Sequence, residues 1–319
     1  MLWESLVRSI LEYGCVVWGK EQWPEGEQVQ ADMAKKILRC SGMSKREALL
    51  GDLGWWTLQG RRNLKKLLYW FHINTLDNSH LIKRVYLVTR SYAKKSSWAE
   101  IVHHLLDLYG LARLWDHPDL LFSVDGKGNL NAASIKQHKA FWKKYIIGII
   151  LQHEERSWMK RMNEKKDRSK LRNYVLFKKN LRMDKYLMGS NASGRMYHTM
   201  LRNGTNQLEI EKGRWKGISK DLRFCTICKQ KVVEDERHFL LSCPIYHDLR
   251  EKFYQSIYNL SKGKWNFKTR PMEEVFLILM QGTGDEHEQI LFQLFHAHLE
   301  RCFKLRNKLD SSNFLSGML

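Results

Sequence analysis

Apolar residues recur every three or four positions along most of the chain, the rhythm of helices that each bury one face. Leu2, Leu6, Ile10 and Leu11 mark a first helix that breaks near Gly14. A second helix is predicted over 25–39, with Val29, Met33, Ile37 and Leu38 on one face and Gly42 past its end. Ser44 and Glu47 match a capping box ahead of Ala48-Leu49-Leu50. A strong helix follows over 57–76, with Leu64, Leu67, Leu68 and Phe71 inward and Arg61, Arg62, Lys65 and Lys66 outward. Ser97 and Glu100 form another capping box, opening a helix with Ile101, Val102, Leu105, Leu106 and Leu108 that stops at Gly110. After a turn at 125–128, Ile135, His138, Phe141, Tyr145 and Ile149 trace a long helix. Near the end, Val275 to Met280 is apolar, and Asp285 and Glu288 cap a last helix with Ile290, Leu294, Leu299 and Phe303 on its inner side. With only four prolines in 319 residues, the pattern is that of a mainly α, multi-helical protein. It divides along the chain into 1–76, a basic helical stretch over 77–200, a Cys/His-bearing segment over 201–260, and a C-terminal helical segment over 261–319.

One stretch interrupts the helical rhythm. Cys225, Cys228, His238 and Cys243 give a C-x2-C-x9-H-x4-C pattern within nineteen positions. Zinc takes four Cys or His ligands in a tetrahedron, and a C-x2-C pair can place two thiolates on one ion from a single turn. His238 and Cys243 can close the site from a second segment. With every position filled by protein, such a zinc is structural and has no open place for a catalytic water. The nine-residue gap is shorter than in the common finger patterns. Lys229 to Val233 can form a hairpin arm, with Glu234-Asp235-Glu236 outside it. Pro244 reads as the first residue of a helix that buries Ile245, Leu249, Phe253 and Ile257. His247 competes with His238 for the fourth place, less well because it follows all three cysteines.

Charge adds the functional hint. The formal net charge is +20, while 43% of the residues are hydrophobic, so the chain can bury a core and still attract polyanions. Six cysteines without a secretory signal favour metal binding in a reducing, nuclear or cytoplasmic compartment over disulfides and secretion. No apolar run is long enough to span a bilayer. From 156 to 185, twelve Lys and Arg face three acids, with Trp158, Tyr174, Phe177 and Tyr186 interleaved. Cations that meet phosphate beside rings that stack on bases are what single-strand or RNA binding requires. The candidates in this stretch are Lys165, Lys166, Arg168, Lys170, Arg172, Tyr174, Lys178, Lys179 and Arg182. A second group precedes the cysteines: Lys212, Arg214, Trp215, Lys216, Lys220 and Arg223. Cys15, Cys40 and Cys302 read as core residues.

Several blocks in order carry a resemblance. LWESLVRSILEYGCVVWG, ILRCSG and LLGDLGWWTLQGRRNLKKLLYW are similar to the region following the palm in non-LTR (LINE-type) retrotransposon reverse transcriptases. The likeness continues through VDGKGN, IKQHKAFW, GTNQLEI and EKGRW to the HFLL-x-CP-x-Y texture of residues 238–246, over about three quarters of the chain. The resemblance implies a thumb-like segment, a helical linker and a Cys-Cys-His-Cys zinc knuckle that grip template RNA or target DNA beside the rest of a retroelement polymerase. The family's polymerase needs paired aspartates for two metal ions. No two aspartates are adjacent here, and no palm precedes Leu2, so this chain alone is not expected to be an enzyme. The nearest approach to a nuclease core, Arg270-Pro271-Met272-Glu273-Glu274, lacks its aspartate. Two other readings stand beside this one. The chain is a domesticated zinc-dependent protein-interaction module, or a truncated RNA-directed DNA polymerase acting with a separate palm.

Overall fold

The computed structural model describes residues 3–18, 22–40, 43–92, 97–121, 132–164, 170–228 and 230–316. Helices supply its regular structure. A π turn, Trp3–Val7, runs into one α turn, Arg8–Leu11, and a short turn, Cys15–Trp18, follows. The longer helices are α1 (Pro24–Leu38), α2 (Arg46–Leu53), α3 (Leu58–Thr75), α4 (Leu81–Ser91), α5 (Trp98–Leu108) and α6 (Ala132–Glu164). Then come α7 (Ala192–Arg202), α8 (Glu209–Trp215), α9 (His247–Leu260), α10 (Met272–Gln281) and α11 (Glu288–Ser316). Among the described residues there is no strand; Phe224 and Val233 form an isolated antiparallel bridge. The chain divides into two units, residues 1–30 with 56–158, and residues 31–55 with 159–319. The predicted turn at 125–128 lies outside the described residues.

The first unit is organised on α3. Thr57 caps it as its hydroxyl oxygen accepts from the Gly60 N–H at 3.0 Å, while the same hydroxyl donates to Glu154 at 2.8 Å. Ser97 caps α5 in the same way through the Glu100 N–H at 3.2 Å, and Gly110 ends that helix with φ +71°, a conformation that favours glycine. Leu67, Trp70 and Phe71 of α3 pack with Tyr86 of α4, Val102 and Leu106 of α5, and Ile146 and Ile150 of α6. Each such side chain contributes roughly 1.5–3 kcal/mol on burial. The indole of Trp70 donates to the Tyr86 hydroxyl at 2.8 Å.

Several predicted faces are corrected. Arg62 and Lys66 do not face outward; each is 1% exposed. The Arg62 guanidinium lies over the rings of Trp18 and Trp23, 5.9 and 5.7 Å from their centroids, and burial lowers the Lys66 amine to about 8. Arg61 and Lys65 are held by buried Glu12 at 2.5 and 2.8 Å. Four adjacent cations thus leave no free basic strip. On α1, Val29 and Ile37 are exposed while Ala31, Ala34 and Leu38 pack inward, and on α6, Phe141 and Tyr145 are exposed in favour of Ile146 and Ile150. The Ser44 capping box does not form, because α2 starts at Arg46 with Lys45 in the capping place.

The second unit packs α7 and α9 against α11. A Cβ at Gly194 of α7 would come within 2.4 Å of the backbone oxygen of His296, so only glycine allows this approach. Phe253 and Ile257 of α9 and Phe295, Leu299, Cys302 and Phe303 of α11 fill the space between. Buried polar groups bond to one another. Arg202 donates to Asp52 at 2.8 Å and to Asp184 at 2.5 Å, and the hydroxyls of Tyr174 and Tyr186 donate to the same Asp52 carboxylate at 2.8 and 2.7 Å. Desolvation pushes the Asp52 carboxyl up, yet Arg202 beside it holds it below its ordinary range.

Candidate metal centre

The four Cys/His residues predicted as ligands come together. One donor atom from each of Cys225, Cys228, His238 and Cys243 lies within 4.8 Å of the others. A zinc tetrahedron with Zn–S bonds of about 2.3 Å separates its sulfurs by roughly 3.8 Å, so the spacing suits one ion. All three cysteines are free thiols. Cys225, Cys243 and His238 are buried, and Cys228 is half-buried. His247 is exposed and outside the cluster.

Local structure explains the convergence. The first pair sits on a hairpin turn closed by the Cys225 N–H to Val232 carbonyl bond (2.9 Å) and the Glu234 N–H to Arg223 carbonyl bond (2.9 Å). At its tip, the Cys228 N–H points to the Cys225 sulfur at 3.5 Å. Lys229 lies outside the described residues. The second pair brackets a π turn, His238–Ser242, whose first N–H donates to the Asp235 carboxylate at 2.8 Å. That turn brings the Cys243 N–H onto the His238 carbonyl at 2.7 Å. Pro244 then opens a 3-10 turn, Pro244–Tyr246, that leads into α9. Phe253 and Ile257 are buried as expected, but Ile245 is exposed because the 3-10 turn shifts the phase.

The His238 ring is oriented for ligation. Its Nε2 faces the Cys228 sulfur at 3.5 Å, and its Nδ1 meets the Ser242 hydroxyl at 3.3 Å. With the proton on Nδ1 and donated to Ser242, the Nε2 lone pair points at the thiols. The Cys225 thiol is raised to about 12 by its hydrogen bond to Cys243 and by burial, while that same bond lowers Cys243. Deprotonation is what a cation supplies at such a site. The donor set fits a soft or borderline ion and leaves no open coordination position.

The acidic triplet is not outside the hairpin. Glu234 and Glu236 are both 1% exposed. Glu234 accepts from Arg306 of α11 at 3.0 Å and from the Glu209 N–H at 2.8 Å, and lies 3.4 Å from the Cys225 sulfur. Glu236 accepts from Arg172 at 2.7 Å, from Asn173 at 2.8 Å and from Asn206 at 3.0 Å. These acids tie the Cys/His cluster to α11 and to residues 172–173. Sequence reasoning missed them, and it missed Ser242, although a hydroxyl one turn after His238 was a visible cue.

The nucleic-acid candidates divide. Lys165, Lys166 and Arg168 lie outside the described residues. Tyr174 and Lys178 are interior residues, a correction to their assignment as contacts: Tyr174 serves Asp52, and Lys178 pairs with Asp184 at 2.9 Å. Trp158, Phe177 and Tyr186 are also buried, so the interleaved rings belong to the core and cannot stack on bases. Arg172 is an internal tie, bonded to Glu211 at 2.6 Å as well as to Glu236. Lys170 is buried, donating to the Met43 carbonyl at 3.2 Å, with its amine 5.6 Å from the centre of the Trp215 ring. Lys179 and Arg182 are exposed. In the second group, Arg214 pairs with Glu211, Lys212 pairs with Glu209 and Asp310, and Arg223 donates to the Ile210 carbonyl at 2.7 Å. Trp215 is 53% exposed, Lys216 and Lys220 are exposed on the segment leading to Cys225, and Phe224, Lys231 and Val232 of the hairpin are exposed as well.

Comparison of the chain with known protein families, with curated proteins and with solved structures found no match.

Proposed function

We propose that the four residues hold a structural zinc ion and that the face beside it binds single-stranded nucleic acid, as in the non-LTR retrotransposon segments the sequence resembles. The observation carrying this reading is the exposed set Trp215, Lys216, Lys220 and Phe224, whose lysines enter no ion pair among the described residues. Apart from exposed Lys179 and Arg182, the described cations of the 156–185 candidates are drawn into the interior or onto acids, whereas Lys216 and Lys220 stay exposed on the chain segment that carries Trp215 and Phe224. Bases stacking on such rings are worth about 1–3 kcal/mol each, and lysine–phosphate contacts add a salt-dependent attraction. Zinc in small knuckles supplies on the order of 10 kcal/mol of folding free energy. Its role here is to fix the hairpin that presents this face.

The test is titration of labelled single-stranded RNA and duplex DNA over a salt series, with zinc-loaded and chelated protein in parallel. Steep weakening with salt and loss on chelation support the reading. Binding unchanged by chelation moves the contact to exposed Lys179 and Arg182. Absence of binding at low salt refutes it and favours a protein-interaction module.

A further inference from the structure

Beside the metal centre, α9 and the segment joining it to α10 enclose a cavity of about 350 Å³. Arg250, Glu251 and Tyr254 of α9 line it, with Phe267, Lys268 and Arg270 from the joining segment. Its charges are unevenly matched. Lys268 pairs with Glu251 at 2.5 Å, and Arg270 pairs with Glu274. Arg250, only 7% exposed, donates to the Cys243 carbonyl at 3.2 Å and enters no ion pair among the described residues. Glu251, which also lines the cavity, feels the Arg250 charge but is already paired with Lys268, and a guanidinium matches a phosphate with two parallel donors.

The wall beside it is aromatic. The Tyr254 ring meets Phe267 edge-on, with centroids 5.5 Å apart, and its hydroxyl makes no hydrogen bond among the described residues. Burial raises that hydroxyl to about 12, so it stays a neutral donor. The cavity lies at the lower end of the range for small-molecule sites, about 300–1,000 Å³, which suits one nucleotide and excludes a duplex.

We propose that this cavity receives a single unpaired nucleotide, its phosphate on Arg250 and its base against Tyr254. The inference rests on the nucleic-acid reading above but concerns different residues. Arg250 also connects it to the metal centre, since the carbonyl that orients the guanidinium belongs to a ligand residue.

The test is calorimetric titration of the zinc-loaded full chain with adenosine monophosphate, uridine monophosphate, inorganic phosphate and adenosine. The nucleotides are expected to bind at least about tenfold more tightly than phosphate or nucleoside, because each of these offers one half of the contact. Arg250→Gln is expected to weaken nucleotide binding by about tenfold or more. Because Arg250 also supports Cys243, a second variant is needed. Met272, 52% exposed on the rim, becomes a plug as Met272→Trp, expected to abolish nucleotide binding without moving thermal unfolding. Lys216→Ala with Lys220→Ala should leave nucleotide affinity within about twofold. Absence of nucleotide binding, equal affinity for inorganic phosphate, or unchanged affinity in Met272→Trp overturns the proposal. RNA binding without nucleotide binding sinks this cavity alone, and nucleotide binding without RNA binding sinks only the hairpin face.

Discussion

Replacing Arg306 by Ala should destabilise the second unit far more than a substitution on an outer helix usually does. Arg306 and Glu234 are 0% and 1% exposed, and the guanidinium meets both carboxylate oxygens. Truncating one partner of a buried pair leaves the other charge uncompensated, at about 3–5 kcal/mol. Burial this complete calls for no reduction for solvent screening. For a unit of this size each kcal/mol moves the midpoint by about 2–4 °C, so the drop should be roughly 6–20 °C. Thermal and urea unfolding of zinc-loaded Arg306→Ala, followed by far-UV circular dichroism, measures it. The double variant Glu234→Gln, Arg306→Met removes both charges and should recover much of the loss. A loss below about 1 kcal/mol for Arg306→Ala would refute the view that this pair carries the unit, because that is the scale of an exposed ion pair.

Three further outcomes are expected. Cys225→Ser, or chelation, should abolish hydrogen-exchange protection in the hairpin and lower it along α11 through Glu234, while α3 and α5 of the first unit keep theirs; equal loss everywhere would contradict this. Lys216→Ala with Lys220→Ala should reduce the slope of log affinity against log salt for single-stranded RNA by about 1.4, and an unchanged slope would remove both from the interface. His296 and His298 are held at about 4, below their ordinary 6.5, chiefly by burial. The unfolded chain takes up protons there that the folded one refuses, so stability is complete above about pH 6.5 and falls as pH drops towards 4. Urea unfolding across that window checks it, with His296→Phe expected to give a shallower fall; identical profiles would count against the assignment.

What could be read in advance follows physical range. Ser97 and Gly110 act on neighbours three or four residues away, and the helix bounds they predict are the ones observed. The ligand spacing was legible for the same reason, all four residues lying within nineteen positions. Glu234 and Arg306 are 72 residues apart, and Arg172 and Glu236 are 64 apart, so no periodicity could announce either pair. Charge misled most where it was densest. Arg62, Lys66 and Lys178 looked like surface cations, yet their long alkyl stems and available partners let them enter the interior. Tyr174 looked like a stacking ring because its hydroxyl's need for Asp52 could not be seen without the fold.

The Cys/His cluster and the Glu234–Arg306 pair beside it differ in the length of chain that each must close. Bringing Cys225 to Cys243 closes a loop of 18 residues, whereas joining Glu234 to Arg306 closes one of 72. The longer closure is about 1.2 kcal/mol less favourable in chain entropy. On the zinc reading proposed above, metal capture is expected as the early, local event in assembly of this unit and docking of α11 as the late one. Starved of metal as it emerges from the ribosome, the chain would face the longer closure without a preformed hairpin to receive Arg306.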